Sequence, residues 1–540
     1  MAMAASLAPI FFASLYCTGT GPHVARLHRF YSSTAVNRPR RSCATLSSRL
    51  DSFTPDDGDL QDELQHGFLP QRRDGLPVFV TLPADAVSPA GKLRRRKAMA
   101  QSFRALVAAG VEGVVMEVWW GMVEKDAPRV YDWRPYQEIV ALASMLGLKV
   151  RAVMAFHQGG SGPEDPHWIP LPCWVREEMD KDPDLAHSDR FGRRNFEYIS
   201  IGCDLLPVLR GRSPLLAYAD FMRSFRDTFK PSLGVVITGI QVGMGPAGEL
   251  RYPSHPFQKL AWAWHPHELG EFQCYDKYML ASLNACSSEI ERCEWGNGGT
   301  VGAGNLMHNP KETEFSRSDS YWSTPYSKFF LEWYSRMLIL HGERLCKEAD
   351  TIFWGTEVNL SAKVARVHWH YGKKSHPSEL TAGYYNTSTR DGYLPIARMF
   401  GRYGFTLCCT GFDKQDAEDK QTNPLGSPEG FLKQLLLAAR ICEIPLEGEN
   451  SPGYLDDESF HRVLKVSKFY SNGLERPSFS FNFVRMDKNL FQYNHWIRFT
   501  RFVRQMSDAS FVRATVAFGG DSCMSYASGA SKIGIAFACH

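Results

Sequence analysis

Residues 97–120 read KAMAQSFRALVAAGVEGVVMEVWW and join two patterns. Over 97–110 the apolar residues recur at helical spacing, whereas 111–120 is a short apolar run rich in Val and Trp. A strand that is apolar on both faces is typical of a parallel sheet covered by helices. The stretch therefore predicts a helix that leads into a parallel strand buried on both sides.

The same alternation continues along the chain from residue 76. The predicted strands are 76–82, 111–120, 148–156, 233–242, 362–370, 405–410, 443–449 and 479–486. The predicted helices include 97–110, 132–147, 325–349 and 427–442, the last beginning with a Ser cap and Pro. Eight such units predict the α/β class and a (β/α)8 TIM barrel, with 157–232 and 249–361 as long βα loops over the C-terminal face. A doubly wound open sheet is the alternative.

The two ends of the chain lack this alternation. Residues 1–50 contain six Arg but no Asp, Glu or Lys, which is typical of a transit peptide for a plastid or mitochondrion. A secretory signal is the alternative, because 7–16 are apolar. We expect 51–75 to be an acidic flexible linker, 76–506 the barrel domain and 507–540 an irregular tail.

Composition narrows the possible partners. A net charge of +3 over 540 residues favours neither nucleic acid nor a membrane surface, and no run of 18 apolar residues predicts a membrane span. The 13 cysteines include no CxxC pair, which favours reduced thiols over a disulfide framework or a zinc ribbon. An aromatic content of 13% suits core packing and also flat ligands such as sugars.

In a TIM barrel, function is read from the residues that follow the strands at their C-terminal ends. Here these residues include Glu117, His157, Glu249, His368, Thr410, Glu449 and Arg485. Glu249 and Glu449 follow the fourth and seventh predicted strands. Paired carboxylates around a sugar perform glycoside hydrolysis: one donates a proton, and the other attacks or activates water. We expect Trp120 and Tyr252 to surround Glu249 and favour its protonated form.

Each candidate also has a simpler interpretation. A Glu after a strand can cap a helix or face solvent, His157 can be a turn residue, and Lys363 can be a charge at the barrel end. His368 and His370 would lie on one face of the predicted strand and could form a metal pair. No third ligand has suitable spacing, so we expect no metal.

Several stretches resemble plant β-amylases and are similar to plastid-targeted members. They include VWWGMVEKDAP (118–128), AFHQGG (155–160), GMGPAGELRYPS (243–254), GEFQCYDKYM (270–279) and EGEN (447–450), within a resemblance that spans 76–505. It implies a TIM-barrel exo-hydrolase that releases maltose from the non-reducing ends of α-1,4-glucans such as starch, with inversion and without a cofactor or metal. Similarity to plastid-targeted members implies location in the chloroplast stroma, and we expect a monomer.

The resemblance also implies a role for each site residue. Glu249 falls on the general acid and Glu449 on the general base, and inversion predicts carboxyl groups ~6.5–9.5 Å apart. The residues that fall on positions holding sugar hydroxyls or the catalytic carboxylates are Glu117, His157, Asp165 on the mobile lid, Lys363, His368, Thr410, Asn450, Ser451 and Arg485.

The chain departs from the family in four places. Glu117 stands where the family has Asp; the lid, usually CGGNVGD, reads GGSGPED at 159–165; the inner loop, usually NFTC, reads CCTG at 408–411; and GENAL reads GENSP at 448–452. These changes leave reduced activity open. They also leave open a non-catalytic glucan-binding or regulatory protein, and redox control through the paired cysteines of the inner loop. An unrelated barrel hydrolase for another sugar is a third possibility.

Overall fold

The computed structural model describes residues 75–508 apart from 89, 161, 166, 255–269, 298–323, 420–422, 454 and 472–478. The expected transit peptide, the linker before Gly75 and the tail beyond Asp508 lie outside the described residues. In the described part of the chain, no helix is both long and apolar enough to cross a membrane.

Eight parallel strands close into a barrel, and a small antiparallel hairpin stands apart from it. The strands are β1 (Val78–Thr81), β2 (Gly113–Trp119), β3 (Lys149–Ala155), β4 (Ala186–Ser188), β5 (Arg194–Ile199), β6 (Ile237–Val242), β7 (Asn359–Val364), β8 (Thr406–Thr410), β9 (Leu446–Glu449) and β10 (Phe479–Phe483). The barrel order is β1-β2-β3-β6-β7-β8-β9-β10, with β10 paired to β1, and β4 pairs with β5. The predicted TIM barrel is confirmed, and the open sheet is wrong.

Helices follow the barrel strands, and several of them begin at a residue whose side chain caps the helix. They are α1 (Arg96–Ala109), α2 (Trp120–Val123), α3 (Arg134–Met145), α4 (Cys173–Lys181), α5 (Pro214–Phe229), α6 (Lys277–Glu289), α7 (Pro325–Phe353), α8 (Pro377–Ala382), α9 (Leu394–Arg402), α10 (Asp416–Asp419), α11 (Pro428–Ile441), α12 (Asp457–Ser471) and α13 (Tyr493–Ser507). The Ser427 side chain accepts the N–H of Gly430, which confirms the cap predicted for α11. Ser213 and Thr324 cap α5 and α7 in the same way.

The fifth predicted strand, 362–370, extends too far along the chain. β7 ends at Val364 because the next N–H, of Ala365, bonds to the Tyr384 hydroxyl instead of a neighbouring strand. His368 and His370 therefore lie in a turn and not on one strand face, and His370 Nδ1 is 2.5 Å from Ser378 Oγ. Among the described residues, no group of three His, Cys, Asp or Glu side chains could hold a metal ion.

The period of two residues along each strand determines what faces the barrel interior. Phe79, Val115 and Val153 form a separate apolar cluster, and the guanidinium of Arg151 lies 3.8 Å from the centre of the Phe79 ring. Glu117 is two residues beyond Val115 on β2 and shares its face, one step nearer the C-terminal end. The strands thus carry an apolar layer inside and charged groups above it.

Candidate active site

Glu449 ends β9 with its carboxylate buried inside the barrel mouth. Lys363 Nζ on β7 lies 2.7 Å from Glu449 Oε2, and Cys408 Sγ on β8 lies 3.4 Å from Oε1. Burial alone would favour a neutral amine, but the Glu449 carboxylate raises the pKa of Lys363 above its ordinary value. Lys363 is therefore an ammonium ion that fixes one oxygen of Glu449.

Glu249 follows β6 at the end of a tight turn. Glu249 N–H donates to the Pro246 carbonyl at 3.0 Å, and the next N–H, of Leu250, donates to the Lys363 carbonyl at 2.8 Å. This bridge joins Glu249 to the same residue of β7 whose side chain contacts Glu449. Both carboxylates consequently lie at the C-terminal end of the barrel, and the Lys363 ammonium interacts with each of them.

The charged partner of Glu249 is one that sequence reasoning missed. Arg251 Nε donates to Glu249 Oε2 at 2.8 Å, and the Arg251 side chain is only 9% exposed. The chain turns here, since the N–H of Arg251 donates to the Glu249 carbonyl at 2.9 Å, and this turn brings the two side chains together. The short spacing of the two charges in GELR was the available signal. The ion pair fixes the orientation of the Glu249 carboxylate.

Trp120 and Tyr252 do not surround Glu249, so that expectation is wrong. Trp120 Nε1 donates to Glu124 at 2.6 Å, and its ring packs on Trp174 with centroids 5.7 Å apart. Tyr252 stacks on Tyr334 with centroids 4.0 Å apart. Both rings are fully buried in the main hydrophobic core.

Glu117 on β2 is held face to face by Arg485, which follows β10. Arg485 donates from its two terminal nitrogens to the two oxygens of Glu117 at 2.9 and 3.0 Å, and one of them also bonds to the Leu82 carbonyl at 3.0 Å. Burial opposes ionisation, yet Arg485 holds the pKa of Glu117 below its ordinary value. The longer side chain in place of the family's Asp is therefore accommodated by a bidentate ion pair.

His157, which follows β3, is a neutral imidazole in this environment. Its ring meets Trp119 edge to face with centroids 5.2 Å apart. Burial lowers the pKa of His157 to about 4, against the opposing influence of Glu117. The turn before Glu249 passes close by, since a Cβ added at Gly248 would lie 3.3 Å from His157 Cε1.

Hydrogen bonds connect the C-terminal ends of β8, β9 and β10 to one another. Thr410 ends β8 and pairs in register with Glu449. Asn450 Nδ2 donates to the Val484 carbonyl at 2.7 Å, and its Oδ1 accepts the Val484 N–H at 2.8 Å. Ser451 N–H donates to Asp413 at 2.6 Å. Asn450 therefore connects the end of β9 to the end of β10, next to both Glu449 and Arg485.

Asp165 and His368 lie on longer loops. Asp165 Oδ1 accepts the N–H of His167 at 2.8 Å, which keeps the carboxylate within its own loop. The base of that loop is fixed by a pair of bonds between Gly159 and Ile169, at 2.8 and 2.9 Å. His368 is buried, and its carbonyl accepts the N–H of Ser427 at 3.1 Å.

Together these features define a class of protein. A parallel (β/α)8 barrel that carries two carboxylates and their cationic partners around its C-terminal mouth is a barrel glycoside hydrolase. The chain belongs to glycosyl hydrolase family 14, whose model matches residues 79–511.

Its relatives are similar over most of their length. It is 49% identical over 439 residues to beta-amylase 1, chloroplastic, of Arabidopsis thaliana, covering 80% of this chain and 76% of that protein. It is 48% identical to beta-amylase 1, chloroplastic, of Oryza sativa subsp. japonica, covering 82% of each chain. The solved catalytic domain of a beta-amylase from Paenibacillus polymyxa shares the fold, with a TM-score of 0.65, 22% identity, and coverage of 81% of this chain and 100% of that one.

Proposed function

We propose that this chain is a plastid β-amylase in which Glu249 is the general acid and Glu449 the general base. It releases maltose from the non-reducing ends of α-1,4-glucans with inversion at the anomeric carbon. The observation that carries the assignment of roles is the bridge through Lys363, whose backbone meets Leu250 and whose ammonium contacts Glu449. Both proton-transfer groups are thereby supported by one residue.

The base is the carboxylate that Lys363 holds in place. Lys363 Nζ lies 2.7 Å from one oxygen of Glu449, which orients that carboxylate to take a proton from water. The acid acts from the other side of the glycosidic bond. A spacing of ~6.5–9.5 Å between the two carboxyl groups, which leaves room for the attacking water, stays a prediction.

The ion pair of Glu117 and Arg485 has a separate role, in holding substrate. The Glu117 side chain is 23% exposed, so its carboxylate can also accept hydrogen bonds from the hydroxyl groups of a terminal glucose. His157, Thr410 and Asn450 lie at or just beyond the C-terminal ends of β3, β8 and β9. Asp165 would close from the lid and exclude water during the reaction.

Two observations support plastid location: the relatives named above are chloroplastic proteins, and residues 1–50 lack acidic side chains. The stroma, where α-glucans are dissolved or granular, is the compartment that fits this substrate. Among the described contacts, none favours the non-catalytic alternative, since both carboxylates and their partners are in place.

The test is maltose release from soluble starch by the purified chain without its first 50 residues. Glu249→Gln and Glu449→Gln should each lower kcat by on the order of 10²- to 10⁴-fold, because each removes one proton-transfer step. Glu177→Gln, on the exposed face of α4, is the control and should leave kcat unchanged. Maltose release that survives either active-site substitution would refute the assigned roles.

A further inference from the structure

Arg151 is a charged residue inside the barrel with no role in the reaction described so far. It lies on β3, and its side chain is only 13% exposed. Glu117, which lies nearer the barrel mouth, is in register with Val153, two residues further along β3. Arg151 therefore lies one layer below Glu117, at a level where side chains fill the barrel and do not face the substrate.

The guanidinium of Arg151 reaches the opposite wall of the barrel. In order around the barrel, β3 is the third strand and β9 the seventh of eight, so the two strands lie opposite each other. Arg151 Nη2 donates to Ser480 Oγ at 2.9 Å and Nη1 to Asn482 Oδ1 at 2.8 Å, both on β10. Nη1 also lies 3.4 Å from Oε1 of Glu447 on β9. One side chain from β3 thus contacts both β9 and β10.

The residues that Arg151 contacts on this wall lie directly beside Glu449. Glu447 is two residues before Glu449 on β9 and therefore shares its face of the strand. On β10, Asn482 is the register partner of Glu449, and Ser480 is the register partner of Glu447. All three contacted residues are buried. The guanidinium is thus bonded to the two register pairs that hold the end of β9.

The aliphatic part of the Arg151 side chain lies against the strand that leads to Glu249. Arg151 is in register with Gly239 on β6, and the turn that carries Glu249 follows this strand. A Cβ added at Gly239 would lie 3.1 Å from Arg151 Cγ, which is closer than packed carbon atoms normally approach. The missing side chain at Gly239 therefore leaves the room that Arg151 needs. Arg151 contacts the strand of Glu249 with its aliphatic part and the strand of Glu449 with its guanidinium.

We propose that Arg151 is a positioning residue for the reaction, because it fixes the strand that carries Glu449 relative to the strand that leads to Glu249. The inference rests on the proposed function, in which these two carboxylates are the base and the acid. Inverting hydrolysis needs a set distance between the two carboxyl groups, and groups that react have to be held to within about 0.5 Å. The planar fork of an arginine has fixed N–H directions, which a flexible ammonium lacks.

A purely structural role for Arg151 would have a different effect on the enzyme. Loss of the guanidinium would then lower the free energy of unfolding and leave kcat of the folded protein unchanged. In a positioning role, kcat falls in protein that is still folded. KM changes little, because Glu117 and Arg485 bond to each other and need no contact with Arg151. The split between kcat and KM therefore distinguishes the two roles.

The experiment measures kcat and KM on a soluble maltodextrin for Arg151→Lys, with circular dichroism to confirm that the variant is folded. Lys keeps a charge for Glu447 but not the fork, so we expect kcat to fall about 10- to 100-fold and KM to change by less than about threefold. Ser480→Ala removes a single acceptor and decides the question if Arg151→Lys does not fold; its kcat should fall about threefold. Arg194→Lys, which alters an arginine paired with Asp184 outside the barrel, is the control and should keep the kcat of the wild type.

The outcomes separate this inference from the proposed function. If the wild type releases maltose and folded Arg151→Lys keeps its kcat, or loses no more than Arg194→Lys does, the role of Arg151 is refuted and the proposed function stands. If the wild type releases no maltose, the proposed function is refuted, and crystal structures of the wild type and Arg151→Lys decide the role of Arg151. The Glu449 carboxylate should then move by at least about 0.5 Å relative to that of Glu249. Unchanged positions of the two carboxylates refute the inference.

Discussion

At the scale of single residues, the site is built from carboxylates that each have a cation of their own. Glu449 has Lys363, Glu249 has Arg251 and Glu117 has Arg485, with contacts between 2.7 and 3.0 Å. Buried charges persist when they are paired, because an isolated charge loses its hydration without compensation. Pairing also fixes each oxygen in space, so the geometry for proton transfer exists before substrate binds.

Cys408 is the uncharged neighbour of the base, and its environment bears on redox control. Cys408 and Cys409 are fully buried, and burial raises the pKa of both thiols above the ordinary value. Thiolates react with oxidants, so both cysteines should be unreactive in the folded enzyme. This favours a packing role, with Cys408 as a weak hydrogen-bond donor to Glu449.

Alkylation with iodoacetamide tests this difference. Under native conditions we expect the exposed Cys293 to react at least about tenfold faster than Cys408 or Cys409, as followed by peptide mass spectrometry. Maltose release should remain unchanged while Cys293 is labelled. Labelling after unfolding is the control for intrinsic reactivity. Activity lost in step with modification of Cys408 would instead support a redox-sensitive inner loop.

At the scale of elements, the strands and the residues at their ends were predictable because period and position encode them. β2 and β3 appear as apolar runs, and in a barrel the residues Glu117 and His157 must then stand at one end. The hairpin β4–β5 was not predictable, since its strands are three and six residues long and its apolar pattern is weak. The contact of this hairpin with the turn before Glu249, from the Glu197 carboxylate to the N–H of Ala247, was also not predictable, because it joins residues 50 apart in sequence.

The lid is the element where the chain differs most from the family pattern. Gly160 and Gly162 have φ 76° and 139°, so the backbone there needs glycine, whereas Pro163 has a fixed φ and cannot take part in a hinge. Asp165 is meanwhile bound within its own loop, to the N–H of His167. In the proposed function, closure of this loop over the substrate would exchange that local bond for a contact with sugar.

We expect Pro163→Val to raise kcat if the stiffness of the lid limits turnover. A proline constraint changes free energies by about 1 kcal/mol, which corresponds to roughly a fivefold change in rate. The measurement is steady-state maltose release, with the viscosity dependence of kcat to report on lid motion. Pro128→Ala, in the loop after α2, serves as the control for removal of a proline elsewhere. Equal kcat in Pro163→Val and the wild type would mean that Pro163 does not limit turnover, and Glu117 would then be the next departure from the family to test.

At the scale of the whole molecule, buried histidines link the fold to pH. His187 on β4 is buried, its Nδ1 lies 3.2 Å from the Gln273 carbonyl, and burial lowers its pKa to about 4, the value found also for His157. In the unfolded chain a histidine titrates near ~6.5. At a pH between these two pKa values, the unfolded chain binds protons that the folded chain does not bind. The free energy of unfolding therefore falls as the pH drops.

We therefore expect stability to decline on acidification from about pH 6.5 to about pH 4, by up to about 3 kcal/mol for each of the two histidines. His187→Asn keeps an N–H for the Gln273 carbonyl and removes the titrating ring, so its unfolding free energy should depend less steeply on pH in this range. Urea unfolding at a series of pH values measures that slope directly, even if the substitution changes stability at neutral pH. His461→Gln, exposed on α12, should keep the slope of the wild type. Equal slopes in all three proteins would mean that His187 has the same pKa in the folded and the unfolded chain, and the acid sensitivity of the barrel would then have to arise from other groups.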